Sequence, residues 1–229
     1  MAEIWTVFRK EWFWTVFRKE WRGEMRSRHG IFTAGLFSLL AVVAIAFASY
    51  GQKPSGTILA GMLCITLLFA SVMALPRTFL VEDEQGTFDL LRLISEPQPV
   101  FVGKTLYNLT QMLVTGFVLA ILLIGFAGLQ VTVVWLYILA LVAECMALAG
   151  AVSLCGALAI GAANRWILAA VLSVPLLLPQ VAMGVGAFRA ALGEGTIAGG
   201  TQNVLGLLGF GVAALALGPV LAASVWKTE

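Results

Sequence analysis

Six apolar runs in succession leave this chain one class of fold. Five of them are Ile31–Tyr50, Thr57–Leu75, Tyr107–Gly128, Trp166–Phe188 and Val204–Trp226. Each matches the roughly 20 apolar residues that carry a helix across a bilayer. The sixth, Val131–Ala163, is too long for one upright span. As a single helix it would reach about 50 Å. It is therefore either a tilted helix with an extended end or a span plus an interfacial segment. The chain is 60% hydrophobic and only 11% charged, against about 25% charged for a soluble domain. The reading is an all-α membrane protein with six transmembrane helices over residues 31–226. The first run follows some thirty charged and aromatic residues, which is the wrong flank for a cleavable signal.

With six spans both ends of the chain share a side. That side collects Arg9, Lys10, Arg18, Lys19, Arg22, Arg26, Arg28, Arg77, Arg92, Lys104, Arg165 and Lys227, and the other side only Lys53 and Arg189. Positive loops stay in the cytoplasm, so both termini are expected there, in a plasma (bacterial inner) membrane. Cys64, Cys145 and Cys155 all fall inside spans without paired spacing and read as small packing residues. Neither a metal site nor a disulfide is expected.

Residues 1–30 form an amphipathic segment in which WTVFRKEW occurs twice, at Trp5–Trp12 and Trp14–Trp21. Trp14, Phe17, Trp21 and Met25 make one stripe, and Arg18, Arg22 and Arg26 another, the pattern of a helix lying among lipid headgroups. Nine residues turn an α-helix by about 900°, half a revolution off register. The two aromatic stripes therefore face opposite ways on one straight helix. The expectation is a tandem duplication whose first copy is frayed or kinked near Phe13; the alternative is that both copies are helical and one packs on protein. The basic arm flanks a span, where cations are expected, so no nucleic-acid partner is inferred.

One charged island, Arg77–Lys104, interrupts the apolar chain and holds five of its twelve acids. Such an insert implies a partner outside the bilayer. Glu82, Gln85, Asp89, Arg92 and Glu96 share one helical face. Gly86 permits an unusual turn, Thr87 can cap a helix starting at Phe88, and Pro97 and Pro99 should end it. The expected product is a helix-turn-helix on the membrane surface, within a loop over 76–104.

The run Glu84, Gly86, Thr87, Leu91, Pro97, Gly103 and Lys104 resembles the loop between spans two and three of ABC-2-type transporter permeases. Within that superfamily the chain is most similar to the CcmB family, haem exporter protein B of cytochrome c maturation. FRKEWRGEMRSR at Phe17–Arg28, the loop Phe79–Lys104, and VPLLLP with Pro175 and Pro179 carry the resemblance. Ser95 stands where that family commonly has proline, and the first octapeptide has no counterpart. The resemblance implies a coupling helix that docks on a separate, CcmA-like ATP-binding subunit, with Glu82, Glu84, Gly86, Thr87, Asp89, Leu91 and Lys104 as coupling residues. It also implies two permease copies, other cytochrome c maturation membrane proteins as partners, ATP bound in the partner subunit, and haem as cargo.

Inside the spans, Glu144 is the one deeply placed acid, and an intramembrane acid is a functional candidate by default. It could serve translocation, or sit neutral or snorkel outward. Pro175 and Pro179 should kink the fifth span and could gate a pathway. Ala143, Ala147, Ala151, Cys155 and Ala159 form a small-residue ridge, a seam within the protomer or across a dimer. Asn108, Gln111 and Gln180 read as packing hydrogen-bonders. His29, the single histidine, is a weak candidate haem ligand. No Walker motif or nucleophile constellation is present, so the chain is read as a permease subunit and not an enzyme, with no catalytic residue and no cofactor bound directly. The rival readings are a permease for another cargo, such as a lipid or drug-like compound, and a scaffold for maturation factors that moves nothing.

Overall fold

The computed structural model describes residues 2–50 and 54–226. Lys53 and Lys227 lie outside the described residues, as do the side chains of Trp5, Phe8, Trp12, His29, Asp89, Arg92 and Ile94. The helices are α1 Ala2–Ser27, α2 His29–Ala48, α3 Gly56–Ala74, α4 Arg77–Glu84, α5 Thr87–Ile94, α6 Pro97–Phe126, α7 Val134–Leu158, α8 Arg165–Ala191 and α9 Ile197–Trp226. Among the described residues there is no strand. Five helical segments are long and apolar enough to cross a membrane: Gly56–Glu84, Pro97–Phe126, Val134–Leu158, Arg165–Ala191 and Ile197–Ser224. Phe32–Ala48 in α2 is a shorter apolar helix. The chain is a multi-pass membrane protein.

α1 runs unbroken through both octapeptide copies, so the expected break near Phe13 does not occur. The second copy packs on protein. Val16 is buried, while Trp14, Trp21 and Met25 stay exposed on the outer face. The chain leaves α1 through Arg28, whose left-handed backbone (φ 56) costs a non-glycine residue about 1–2 kcal/mol and turns the chain directly into α2.

α7 is the central post. α6, α8 and α9 pack around it, and its ridge Ala143, Ala147, Ala151, Cys155 and Ala159 is buried within the protomer. Small residues set the approach distances. A methyl group at Gly150 would lie 2.8 Å from the Ala214 side chain, and one at Gly116 would lie 2.8 Å from Cys145 Sγ.

The overlong fourth stretch resolves into a 25-residue helix with an extended lead-in. The amides of Thr132 and Val133 donate to the carbonyl of Ala191 at 3.1 and 2.9 Å, which holds the lead-in against the end of α8. At the same end of the bundle, the Glu194 carboxylate accepts from the amides of Gly56 (2.5 Å) and Thr57 (2.8 Å) and from the Thr57 hydroxyl (2.7 Å). An acid at a helix N-terminus satisfies its free N–H groups and its dipole. The Thr57 hydroxyl and the two amides hold this carboxyl below its ordinary range.

Candidate coupling surface and intramembrane polar groups

The charged island folds as two short helices. α3 runs almost without pause through Leu75 and Pro76 into α4, because Pro76 adopts helical backbone as the residue preceding α4. Gly86 makes the turn to α5 with left-handed backbone, φ 66, and nothing crowds its position. Its role is therefore conformational freedom and not close approach.

The structure corrects two expected details. Thr87 is the first residue of α5 and caps nothing; its hydroxyl donates back to the Glu82 carbonyl at 3.1 Å. Pro97 and Pro99 begin the next helix: α6 starts at Pro97, after extended Ser95 and Glu96. Proline suits that first turn because its missing N–H would have no helical partner there. The third span thus starts ten residues before the apolar run at Tyr107.

Two of the island's charges, Lys104 and Glu82, turn inward. Lys104 is fully buried. Its ammonium lies 2.8 Å from Glu20 Oε1 of α1 and 2.7 Å from Glu82 Oε2 of α4, donates to the Thr78 carbonyl, and sits 5.4 Å above the Phe79 ring. An ammonium has three donors, and three oxygens surround this one. Glu82, also buried, pairs in addition with Lys19. Burial, and then the charge of Lys104, lower the pKa of Lys19, with Glu20 opposing. Gly103 lets α1 come this close: a methyl group there would meet the Phe13 carbonyl oxygen at 2.8 Å and Val16 at 2.9 Å.

The next two acids hold other elements. Asp83 accepts from the Arg165 guanidinium and from the Gly161 amide at 3.1 Å, both in or beside the α7–α8 turn. Glu84 accepts from the Trp166 indole N–H at 2.5 Å. The Nδ2 of Asn108, fully buried, shares its two N–H groups among Ser153 Oγ (2.8 Å), Thr78 Oγ1 (3.2 Å) and the Leu75 carbonyl (3.2 Å). It ties α6 to α7 and to the α3–α4 junction, as a packing hydrogen-bonder should.

The island's outward surface is polar at Arg77, Glu84, Gln85, Thr87, Glu96 and Gln98, with two exposed leucines on α5. In α5, Phe88 is buried against Phe79, Pro97 and Phe101. Leu91 is half-buried. Leu90 and Leu93 project outward, 60% and 84% exposed. Glu84, Gln85, Gly86 and Thr87 border them on the exposed turn. Of the coupling residues expected from the sequence, Glu82 and Lys104 are therefore interior. Leu90 and Leu93 are not among those expected. Their signal is nonetheless present in the sequence: apolar residues on both sides of an eight-residue helix cannot all face one core.

Glu144 is fully buried near the middle of α7 and does not snorkel. Neither carboxyl oxygen has a hydrogen-bond partner among the described residues. It packs on the bare Cα of Gly184 in α8, where a methyl group would lie 2.5 Å from Oε2 and 3.0 Å from Cys64 Sγ of α3. Gln180, one turn away on α8, is buried, and among the described residues neither its Oε1 nor the Tyr137 hydroxyl has a hydrogen-bond partner. Pro175 and Pro179 lie elsewhere, on the exposed outer side of α8, which continues as helix through both.

The family comparison matches residues 11–228, described as CcmB protein. The chain belongs to the CcmB family. Membership makes it a transporter permease subunit and not itself an enzyme, and implies a membrane component of the haem exporter of cytochrome c maturation. A search of the curated proteins finds no match. The match begins inside the first octapeptide and takes in the second copy, α4, α5, Glu144 and the proline pair of α8.

Proposed function

We propose that this CcmB-family chain is the six-span permease half of an ABC transporter. It works with a separate ATP-binding subunit, in two copies of each, and alongside other cytochrome c maturation membrane proteins. α2 is the first of the six spans. The concentration of cations on one side supports an orientation with α1, α4, α5 and both termini in the cytoplasm of a bacterial cell. ATP binds and is hydrolysed in the partner, and haem is the cargo.

The observation that carries this reading is the outward face of α5. Leu90 and Leu93 are exposed beside a glycine turn, on a helix fixed from behind by Phe88. Exposed leucines on a rigid short helix suit insertion into an apolar groove of a partner. Glu84, Gly86, Thr87, Asp89 and Leu91 flank or support that face, whereas Glu82 and Lys104 hold it to the bundle from within. The test is co-purification of the ATP-binding subunit from detergent with Leu90→Asp/Leu93→Asp and with Gly86→Val. Both variants should insert at normal abundance with at least tenfold less bound partner. Normal partner levels in both would sink the assignment.

A further inference from the structure

Three consecutive acids of α4 each hold a different part of the bundle. Glu82 binds Lys104 of α6 and Lys19 of α1. Asp83 binds Arg165 and the Gly161 amide. Glu84 binds the Trp166 indole. Consecutive positions on a helix point about 100° apart, so one turn of α4 reaches three directions at once. The first acid is walled in by helices that pack against it along their length. The second and third meet only the short Gly161–Asn164 turn and the first two residues of α8. Gly161 itself has left-handed backbone, φ 78, the conformation that turns the chain from α7 toward α8.

We infer that Asp83 and Glu84, with Arg165 and Trp166, form a clasp by which α4 drags the first turn of α8, so that movement imposed on α5 reaches the Glu144–Gly184 contact. The inference rests on the reading of α5 as the partner-binding helix. The path is physically continuous. α5 joins α4 through one glycine turn, reinforced by the Thr87 hydroxyl on the Glu82 carbonyl. α4 holds the start of α8 through Arg165 and Trp166. α8 is a single helix from Arg165 to Ala191, and Gly184 on that helix is the surface against which Glu144 packs. These four are positioning residues: they touch neither nucleotide nor cargo. The sequence alone gives Arg165 only the role of a topogenic charge and Trp166 only that of a span boundary. The alternative role, mere stapling of a loop, predicts a stability effect without any effect on motion.

Continuity in space is not coupling, which has to be shown by interaction between sites. The experiment uses the full chain with its ATP-binding subunit in lipid nanodiscs, carrying Ala163→Cys labelled with an environment-sensitive bimane. Residue 163 is exposed in the turn, and the native cysteines are buried. Three quantities are read: partner bound per chain, thermal stability, and the change in label fluorescence on adding a non-hydrolysable nucleotide. With the unsubstituted clasp, nucleotide shifts the fluorescence. Asp83→Asn, Arg165→Gln and their double variant should each keep partner binding within twofold and reduce the shift at least fivefold, the double no worse than the more severe single. Trp166→Phe with Glu84→Gln, which removes a single hydrogen bond, should give a smaller loss in the same direction and guards against misfolding of the charge variants. A full shift in Asp83→Asn, or additive losses in the double, overturns the clasp. Loss of partner binding in Asp83→Asn also overturns it, because the residue would then belong to the docking surface. Failure of the unsubstituted chain to bind the ATP-binding subunit overturns the proposed function, and the clasp falls with it.

Discussion

Lys104 and Glu144 are both fully buried ionisable residues, yet they are housed in opposite ways. Lys104 has three oxygens around its ammonium, from Glu20, Glu82 and the Thr78 carbonyl. Glu144 has no hydrogen-bond partner among the described residues and packs on the bare backbone of Gly184. A buried charge with complete partners holds elements together, and removing one partner leaves the others stranded. An acid without partners contributes shape to the packing and leaves its chemistry unspent. The pair therefore separates a structural weld from a functional candidate, although both are equally inaccessible.

The largest effect should come from breaking the weld. Lys104→Met leaves Glu20 and Glu82 with Lys19 as their shared cation and should destabilise the protein by about 3 kcal/mol, read as thermal unfolding in detergent. Adding Glu20→Gln and Glu82→Gln should recover part of that loss; no recovery would mean that the ion pairs are not what the lysine supplies. At the other site, Glu144→Ala should cost about 2–3 kcal/mol through the cavity it leaves. Glu144→Gln keeps the shape and should retain normal abundance, so any loss of cargo-dependent activity in that variant reports chemistry. Normal activity at normal abundance would remove Glu144 from the functional residues. Gly184→Ala pushes a methyl group into the Glu144 carboxyl and should cost about 1–3 kcal/mol. Combining it with Glu144→Ala should cancel most of that cost; additive losses would disprove the contact.

Smaller effects are expected at the two ends of the bundle. Glu194 has a lowered pKa because Thr57 and Gly56 donate to it. For a carboxyl depressed on folding, the stabilisation is present above its unfolded pKa and disappears as pH falls through the lower folded value. Acid unfolding of the wild type should therefore include a step below the ordinary carboxylate range that Glu194→Gln lacks. An unchanged acid profile in the variant would deny the cap. Least of all, deletion of residues 5–13 should leave membrane abundance and function unaltered. It removes one repeat with Phe13, whose backbone place against Gly103 passes to Ile4, and keeps the copy whose Val16, Lys19 and Glu20 contact the bundle. Loss of either would give the first copy a role of its own.

The apolar runs make the membrane class and most helices legible, because burial in lipid demands length and composition and little else. Boundaries are less legible. α6 begins at Pro97, ten residues before its apolar run, because α1 and α4 cover its polar first turns and supply partners for Lys104. No local pattern announces that: Glu20 and Lys104 lie 84 positions apart. The amphipathic wheel of the island correctly indicates a helix-turn-helix and leaves Gln85 and Glu96 exposed, but it points Glu82 outward as well. In a soluble helix that is the sound default. Here Lys19 of α1 and Lys104 of α6 lie within reach, so Glu82 finds its partners inside, and Asp83 meets Arg165. The phase conflict of the octapeptides is real arithmetic, but it does not break the helix, which runs unbroken from Ala2 to Ser27.

On the proposed function, Glu82 and Asp83 hold the island to the bundle while Leu90 and Leu93 of α5 face the ATP-binding subunit. A photo-reactive benzophenone side chain at position 93 tests it most directly, compared with one at Leu217, an exposed position on the membrane-spanning α9. The account predicts a strong cross-link from position 93 to the ATP-binding subunit and none from position 217. A complex that co-purifies intact yet gives no cross-link from position 93 would contradict it.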